Sequence, residues 1–310
     1  MTIASALHQS IRPNEVIVVD NSSTDATPEE VPRRFGSSVR YIRQANKECA
    51  GAYNTGFAIA QGEFIQFVDG DDVLAPNKIQ KQIETFLARP ELDIVYGGVR
   101  MFQTLPGRAD WTDLSSEPQQ DILKGLIETE YRSPGITTLG TLFHRRALER
   151  VGPWDERLYN EDLDFWVRAA WAGCRFGHCA DFPMGFLRQR PGQKSRNVSA
   201  ILRGNEAVWE KALGYVNREP YRSQIIATLA RSRFRTAVFR YDMTTKEALA
   251  KLALARATCP EMVPALAYGL SYAAIVLCGG GSSLVRSQRL RPALRVLERI
   301  TGAPRRLPHL

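Results

Sequence analysis

The chain has 310 residues, 44% hydrophobic and 24% charged, an ordinary globular composition with room for one large or two modest domains and without repeats or low-complexity tracts. Its charge is divided: residues 1–200 carry 23 Lys and Arg against 26 Asp and Glu, whereas residues 201–310 carry 18 against 7, so the last third is expected to meet an anion such as lipid headgroups or nucleic acid. The five cysteines are odd in number and lack a Cys-x-x-Cys pair, which excludes a disulfide framework and a zinc site, and no basic-then-apolar leader opens the chain, so a cytoplasmic setting is expected.

In chain order, helical spacing of Ile3, Leu7 and Ile11 predicts a helix over 2–11, ended by Pro13. The β-branched run Glu15-Val-Ile-Val-Val-Asp20 predicts a strand with an acid at its carboxyl end, followed by the cap-prone residues 21–25. A strand over 37–42 and a helix over 50–60 lead to Phe64-Ile-Gln-Phe-Val68, read as a buried parallel strand stopping on Asp69-Gly70-Asp71-Asp72. Three adjacent acids repel one another unless a cation or hydrogen-bond donors offset the charge, and a hard divalent ion that keeps positions for diphosphate oxygens suits them; a simple polar turn is the competing reading.

Beyond the acids, Pro76 precedes a helix marked by Ile79, Ile83, Phe86 and Leu87, and residues 92–97 form a strand, so strand and helix alternate as in a doubly wound, mostly parallel sheet. Residues 103–135 read as an irregular excursion with one short helix at 122–127, before a strand at 137–143 and a helix at 145–151. Asp155 to Asp162 then runs into a helix with Leu163, Trp166, Val167 and Ala170 on one face. Asn160 is a candidate cap for that helix, and Glu161 and Asp162 stand where its dipole also favours acids.

These motifs, in this order, together with Asn46 and the segment Ala52-Tyr53-Asn54-Thr55-Gly56, resemble glycosyltransferase family 2 over residues 1 to about 196. The resemblance implies an α/β GT-A fold and an inverting, Mn2+- or Mg2+-dependent transfer from a UDP- or dTDP-sugar to a glycan or lipid-linked acceptor, in cell-envelope polysaccharide assembly. It assigns Asp20 to the nucleobase, Asp69 and Asp71 to ribose, metal and diphosphate, Asp162 to the catalytic base and Glu161 to acceptor binding, with Asn46 and Arg190 as donor-binding residues. Glu48 stands where the family commonly has glycine, Tyr53 where it often has arginine, and Arg190 where a histidine is usual. The family's first strand is not found ahead of Thr2, so an upstream segment of four to six β-branched residues followed by Pro, an aromatic and Asn is expected.

Two other functions fit parts of the pattern. A haloacid-dehalogenase-like phosphatase shares Asp69-x-Asp71-x-Val73 but needs a later Gly-Asp-x-x-x-Asp, and a catalytically impaired glycosyltransferase-like binding protein would follow from loss of the first strand. Residues 1–198 are assigned to the GT-A domain, split near residue 100 into nucleotide-binding and acceptor halves, and 199–310 to a helical extension with helices at 201–216, 221–241 and 246–257. Residues 262–285 carry no charge but hold only about sixteen strongly apolar positions, short of the ~20 of a membrane span. With the Arg-rich amphipathic pattern after them, residues 262–306 fit peripheral attachment to an anionic bilayer, a solvated surface helix being the alternative; nucleic acid is not the expected partner.

Overall fold

The structure, a computed structural model, describes residues 1–45, 48–105, 108–129, 135–181, 183–239, 243–261 and 271. The chain divides into two compact units, one of Met1–Arg157 with Glu161–Arg190, the other of Leu158–Asn160 with the chain from Pro191 onward.

In the first unit β1 (Ile17–Asp20) runs parallel to β2 (Arg40–Arg43), with Asp20 opposite Arg43, and α2 (Thr27–Phe35) connects them. Before them lies α1 (Thr2–Leu7), shorter than its apolar spacing predicts. Its Thr2 Oγ1 donates to Gly70 O at 2.9 Å and Ser5 Oγ accepts from Leu74 N at 3.1 Å, tying it to the acid turn and to β4 (Val73–Leu74). Next come α3 (Glu48–Ile59), which packs on β1, β3 (Phe64–Ile65), and α4 (Lys78–Ala88) after β4. The remainder is β5 (Ile94–Tyr96), β6 (Val99–Leu105), β7 (Arg108–Leu114), α5 (Ile122–Thr129), β8 (Thr141–His144), α6 (Arg145–Val151), α7 (Glu161–Trp171), β9 (Phe176–His178) and β10 (Gly185–Gln189).

The strands form one two-stranded and two four-stranded sheets, in the orders β1-β2, β3-β8-β5-β9 and β4-β10-β6-β7. The α/β class is the expected one, but the pairing is mixed. β1-β2, β5-β9 and β6-β10 are parallel, while β3-β8, β5-β8, β4-β10 and β6-β7 are antiparallel. The run 64–68 therefore differs from its reading as a parallel strand: only Phe64 and Ile65 join a ladder, antiparallel to β8. An apolar run covered on both faces has the same composition in either direction, so its pattern does not encode the partner's polarity. Residues 103–135 also depart from expectation, because β6 and β7 form a long hairpin that places Arg100 opposite Asp113, ion-paired at 2.6 Å.

Apolar layers hold these elements. Phe86, Leu92, Val95, Leu142, Cys179 and Met184 form one buried cluster, with Phe64, Ile79 and Ile83 packed against it. Beneath the acid-bearing segment the Lys78 ammonium is fully enclosed, donating to the side-chain carbonyls of Gln66 and Gln82 and to Thr141 O, and burial pushes its pKa well below the usual lysine range. A buried amine needs such acceptors, and here they pin the segment leading into the acid turn.

The second unit contains α8 (Val198–Leu213), α9 (Tyr221–Phe239) and α10 (Thr245–Thr258), the three helices that 3.6-residue spacing predicts. Asn197 caps α8, and Thr244 with Glu247 forms a capping box on α10. Trp209, Val208, Ile225, Leu229, Phe234 and Leu252 are buried between them, and buried Glu206 pairs with Lys251 at 2.6 Å. Asn160 joins this unit, its amide donating to Ile201 O at 3.1 Å and to the Asn205 side chain. That contact requires glycine at 204, where a Cβ would lie 2.7 Å from Asn160 Cγ. Among the described residues no helix is long and apolar enough to cross a membrane, and residues 262–306 fall outside them apart from Ser271.

Candidate functional site

β1 ends on Asp20, whose carboxyl side chain is 1% exposed. Ser23 N donates to its Oδ1 at 2.8 Å and the Tyr41 hydroxyl to its Oδ2 at 2.5 Å, with Arg43 Nε at 3.6 Å. Burial by itself raises this carboxyl's pKa, but the hydrogen bonds and the Arg43 charge outweigh it and the net shift is downward. Tyr41 is pushed up to about 12 by burial and by Asp20.

After Asp20, a chain of hydrogen bonds links Asn21 to α3. Thr55 Oγ1 donates to Gln44 Oε1 at 2.6 Å, Gln44 Nε2 to Asn21 Oδ1 at 2.9 Å, and Asn21 Nδ2 to Glu48 O at 2.8 Å. Glu48 sits at φ +57°, in the left-handed region, which accounts for glycine being usual at this position. Asn46 lies outside the described residues.

The three acids after β3 each have a different partner. Asp69 Oδ1 accepts from the Tyr53 hydroxyl at 2.5 Å and from Cys49 Sγ at 3.7 Å. Asp71 Oδ2 faces Arg190 Nε at 2.9 Å. Asp72 is buried, and its Oδ1 accepts from the backbone N–H of Arg188 at 2.9 Å. Although Asp69 is exposed by area, packing around its carboxyl is dense; this desolvation, with the charges of Asp71 and Asp162, raises its pKa despite the Tyr53 and Cys49 hydrogen bonds. Burial likewise pushes Asp72 up, to about 7, aided by Asp69 and Asp71.

Asp162 stands exposed in the first turn of α7, its Oδ1 accepting from Leu163 N at 2.7 Å, and close enough to Asp69 for their charges to interact. Glu161 beside it is buried and raises the pKa of Tyr53 together with desolvation, the largest cause, and Asp69. The structure thus gathers Asp69, Asp71, Arg190, Glu161 and Asp162 in one region. Asp20 ends a neighbouring strand with its carboxylate enclosed.

Three residues to which sequence reasoning gave no role of their own organise the site. Asn54 clamps the segment before α7, accepting from Trp154 N at 2.9 Å and donating to Trp154 O at 2.9 Å and Glu156 Oε1 at 3.0 Å. Tyr53 and Asp72 orient Asp69 and β10 respectively. Position next to Gly56 in the motif 52–56 was the available signal for Tyr53 and Asn54; nothing in the sequence marks Asp72 as the partner of Arg188.

Among the described residues no three His, Cys, Asp or Glu side chains converge as a ready metal cage. The donors nonetheless fit a hard divalent ion of the kind that uses one or two carboxylates and takes its other ligands from phosphate and water. Asp69 and Asp71 offer hard oxygens, and their mutual repulsion is the charge a cation relieves.

The profile described as "Glycosyl transferase family 2" matches residues 1–152. Residues 1–152 belong to glycosyltransferase family 2. Similar curated proteins include an uncharacterised glycosyltransferase of Nostoc sp., 30% identical over 49% of this chain and 48% of its own length. The succinoglycan biosynthesis protein ExoO of Rhizobium meliloti is 31% identical over 66% of this chain and 62% of its own. The chain spans about half the length of several of the curated relatives it matches.

Among solved structures, S. aureus TarS residues 1–349 in complex with UDP-GlcNAc superposes with TM-score 0.61 at 20% identity, covering 95% of this chain and 87% of that one. The mannosyltransferase PcManGT of Pyrobaculum calidifontis, in complex with GDP-Man and Mn2+, gives 0.52 at 19% identity, over 96% and 79%. These likenesses establish the GT-A fold for the family 2 domain. Within it, Glu48 takes the left-handed conformation and the Tyr53 ring packs 4.9 Å from that of Phe67.

Proposed function

We propose that this chain is an inverting glycosyltransferase that moves a sugar from a nucleoside diphosphate, UDP or dTDP, to a hydroxyl of a glycan or lipid-linked acceptor in cell-envelope polysaccharide assembly. The observation that carries the reading is the meeting of the Asp69–Asp71 pair, inside the family 2 region 1–152, with Asp162 and Arg190, which follow that region in the chain. The nucleotide sugars bound in the TarS and PcManGT structures, and the succinoglycan of ExoO, support the donor and product classes.

In this reading Asp162 takes the proton of the acceptor hydroxyl as the oxygen attacks the anomeric carbon, opposite the departing diphosphate. Its exposure at a helix start keeps it available to an incoming hydroxyl, and Glu161 orients the acceptor. Arg190 exchanges its bond to Asp71 for the diphosphate oxygens, which a planar guanidinium binds two at a time. Asp69 and Asp71 would hold Mn2+ or Mg2+, which when bound neutralises charge developing on the leaving group. Asp20, whose carboxylate holds Ser23 and Tyr41, is the nucleobase contact, and Asn46 is a further donor-binding residue that the family resemblance assigns. The basic last third supports attachment to an anionic bilayer at the cytoplasmic face through residues 262–306; vesicle sedimentation that weakens with salt is the expected result, and equal recovery with and without vesicles would refute it.

The experiment is a screen of nucleotide sugars for Mn2+-dependent thermal stabilisation. One UDP- or dTDP-sugar is expected to raise the melting temperature with Mn2+ present, and Asp71→Ala to abolish the rise while the protein stays folded. If no nucleotide sugar shifts the melting temperature, or Asp71→Ala retains the full metal dependence, the reading fails.

A further inference from the structure

We infer that Tyr53 is a positioning residue that biases which divalent ion the site accepts, by engaging one of the two carboxylate oxygens of Asp69. This rests on the proposed metal-dependent reading of the site. The Tyr53 hydroxyl donates to Asp69 Oδ1 at 2.5 Å, and among the described residues Oδ2 has no hydrogen-bond partner. The hydroxyl is not free to swing away. Its ring lies 4.9 Å from Phe67 and 5.2 Å from Trp154, and Trp154 is clamped by Asn54 and stacked 4.2 Å from Phe165 of α7.

A carboxylate with one oxygen engaged in this way offers a metal its other oxygen first, because coordination through both must compete with the hydroxyl. Small octahedral ions such as Mg2+ are served well by one-oxygen ligands at short distance, whereas Ca2+ with six to eight ligands commonly takes a carboxylate through both oxygens. The pinned Asp69 therefore favours the small ion in two ways: its open oxygen is oriented in advance, and two-oxygen chelation is disfavoured. Cys49 also touches Oδ1, but at 3.7 Å a thiol is a weak donor that does not fix the carboxylate.

The test measures Mn2+ and Ca2+ affinity of the full chain by calorimetry in the presence of UDP, for wild type, Tyr53→Phe and Cys49→Ala. Tyr53→Phe keeps the ring and its packing, so it should melt within a few degrees of wild type. Its Mn2+ affinity is expected to fall about tenfold while its Ca2+ affinity stays level or rises, so that the Mn2+ to Ca2+ ratio drops. Cys49→Ala should leave the ratio unchanged. An unaltered ratio in a folded Tyr53→Phe variant overturns the inference while the metal reading stands. Absence of Mn2+ binding in wild type overturns both. A loss of affinity for both ions in equal proportion would assign Tyr53 a general structural role and likewise refute ion selection.

Discussion

Asn54 joins residues a hundred positions apart, and removing it isolates what that junction is worth. Asn54→Ala deletes the acceptor for Trp154 N and the donor to Trp154 O, each at 2.9 Å, and the 3.0 Å contact with Glu156. The Glu156 contact is exposed and counts for little. The two bonds to Trp154 serve the backbone of a residue that is 3% exposed, so the truncation forfeits roughly 0.5–1.5 kcal/mol for each and leaves two polar groups short of partners. A total of about 2–4 kcal/mol follows, and urea unfolding followed by tryptophan fluorescence measures it. Because Trp154 also packs on Tyr53 and Phe165, turnover is expected to fall further than the lost stability explains, in a variant still folded at the assay temperature. A destabilisation under about 0.5 kcal/mol would show that aromatic packing alone fixes the segment before α7.

Asp162→Asn keeps shape but cannot take a proton, so kcat should drop by roughly 10²–10⁴ with donor affinity retained; near-normal turnover in steady-state assays would shift the base to Glu161. Asp93 is buried against Arg146 at 2.7 Å, Arg150 at 2.9 Å and Arg175 N at 2.9 Å; burial raises its pKa, but these partners outweigh it and hold it low. A carboxylate with a depressed folded pKa adds stability that is fully present above the unfolded value near ~3.9 and is lost as pH falls through the folded one. Asp93→Asn should therefore cost about 2–3 kcal/mol at neutral pH, the partly exposed arginines re-solvating, and the gap to wild type should narrow in melts taken at progressively more acidic pH. Glu48→Gly relieves a left-handed backbone worth roughly 1–2 kcal/mol and gives back roughly 0.5–1 kcal/mol of chain entropy, so a net gain near ~0.5–1 kcal/mol is expected in thermal melts, and a loss would mean that the Glu48 side chain holds the loop.

How much of this was legible depended on the range of the interaction. Helices α8, α9 and α10 were readable because their apolar spacing is a local property, and so was the position of Asp162 at a helix start. Strand polarity was not, since the apolar run of β3 is indifferent to direction, and the β6-β7 hairpin was hidden by polar residues such as Arg100 and Asp113 that pair only across strands. The partners of the acids were hidden for the same reason: Tyr53 and Asp69 are 16 residues apart, Asp72 and Arg188 are 116.

Those distant partners change the electrostatic reasoning that began from three adjacent carboxylates. Their repulsion is not left for a cation alone to resolve, because a hydroxyl, a guanidinium and a backbone N–H each take one acid. Asp72 is withdrawn from ligand chemistry by burial, and its bond to Arg188 N fixes the end of β10 two residues before Arg190. Arg190, 63% exposed in its side chain, is the one cation of the three partners and has access to solvent. Its bond to Asp71 costs little to break in water. An incoming diphosphate brings more negative charge than the carboxylate it replaces, so in the proposed function exchange of Arg190 from Asp71 to phosphate would free Asp71 for a metal-diphosphate. On that proposal, donor binding would rearrange the side chains of Arg190 and Asp71, while the buried Asp72 and its bond to Arg188 N stay in place.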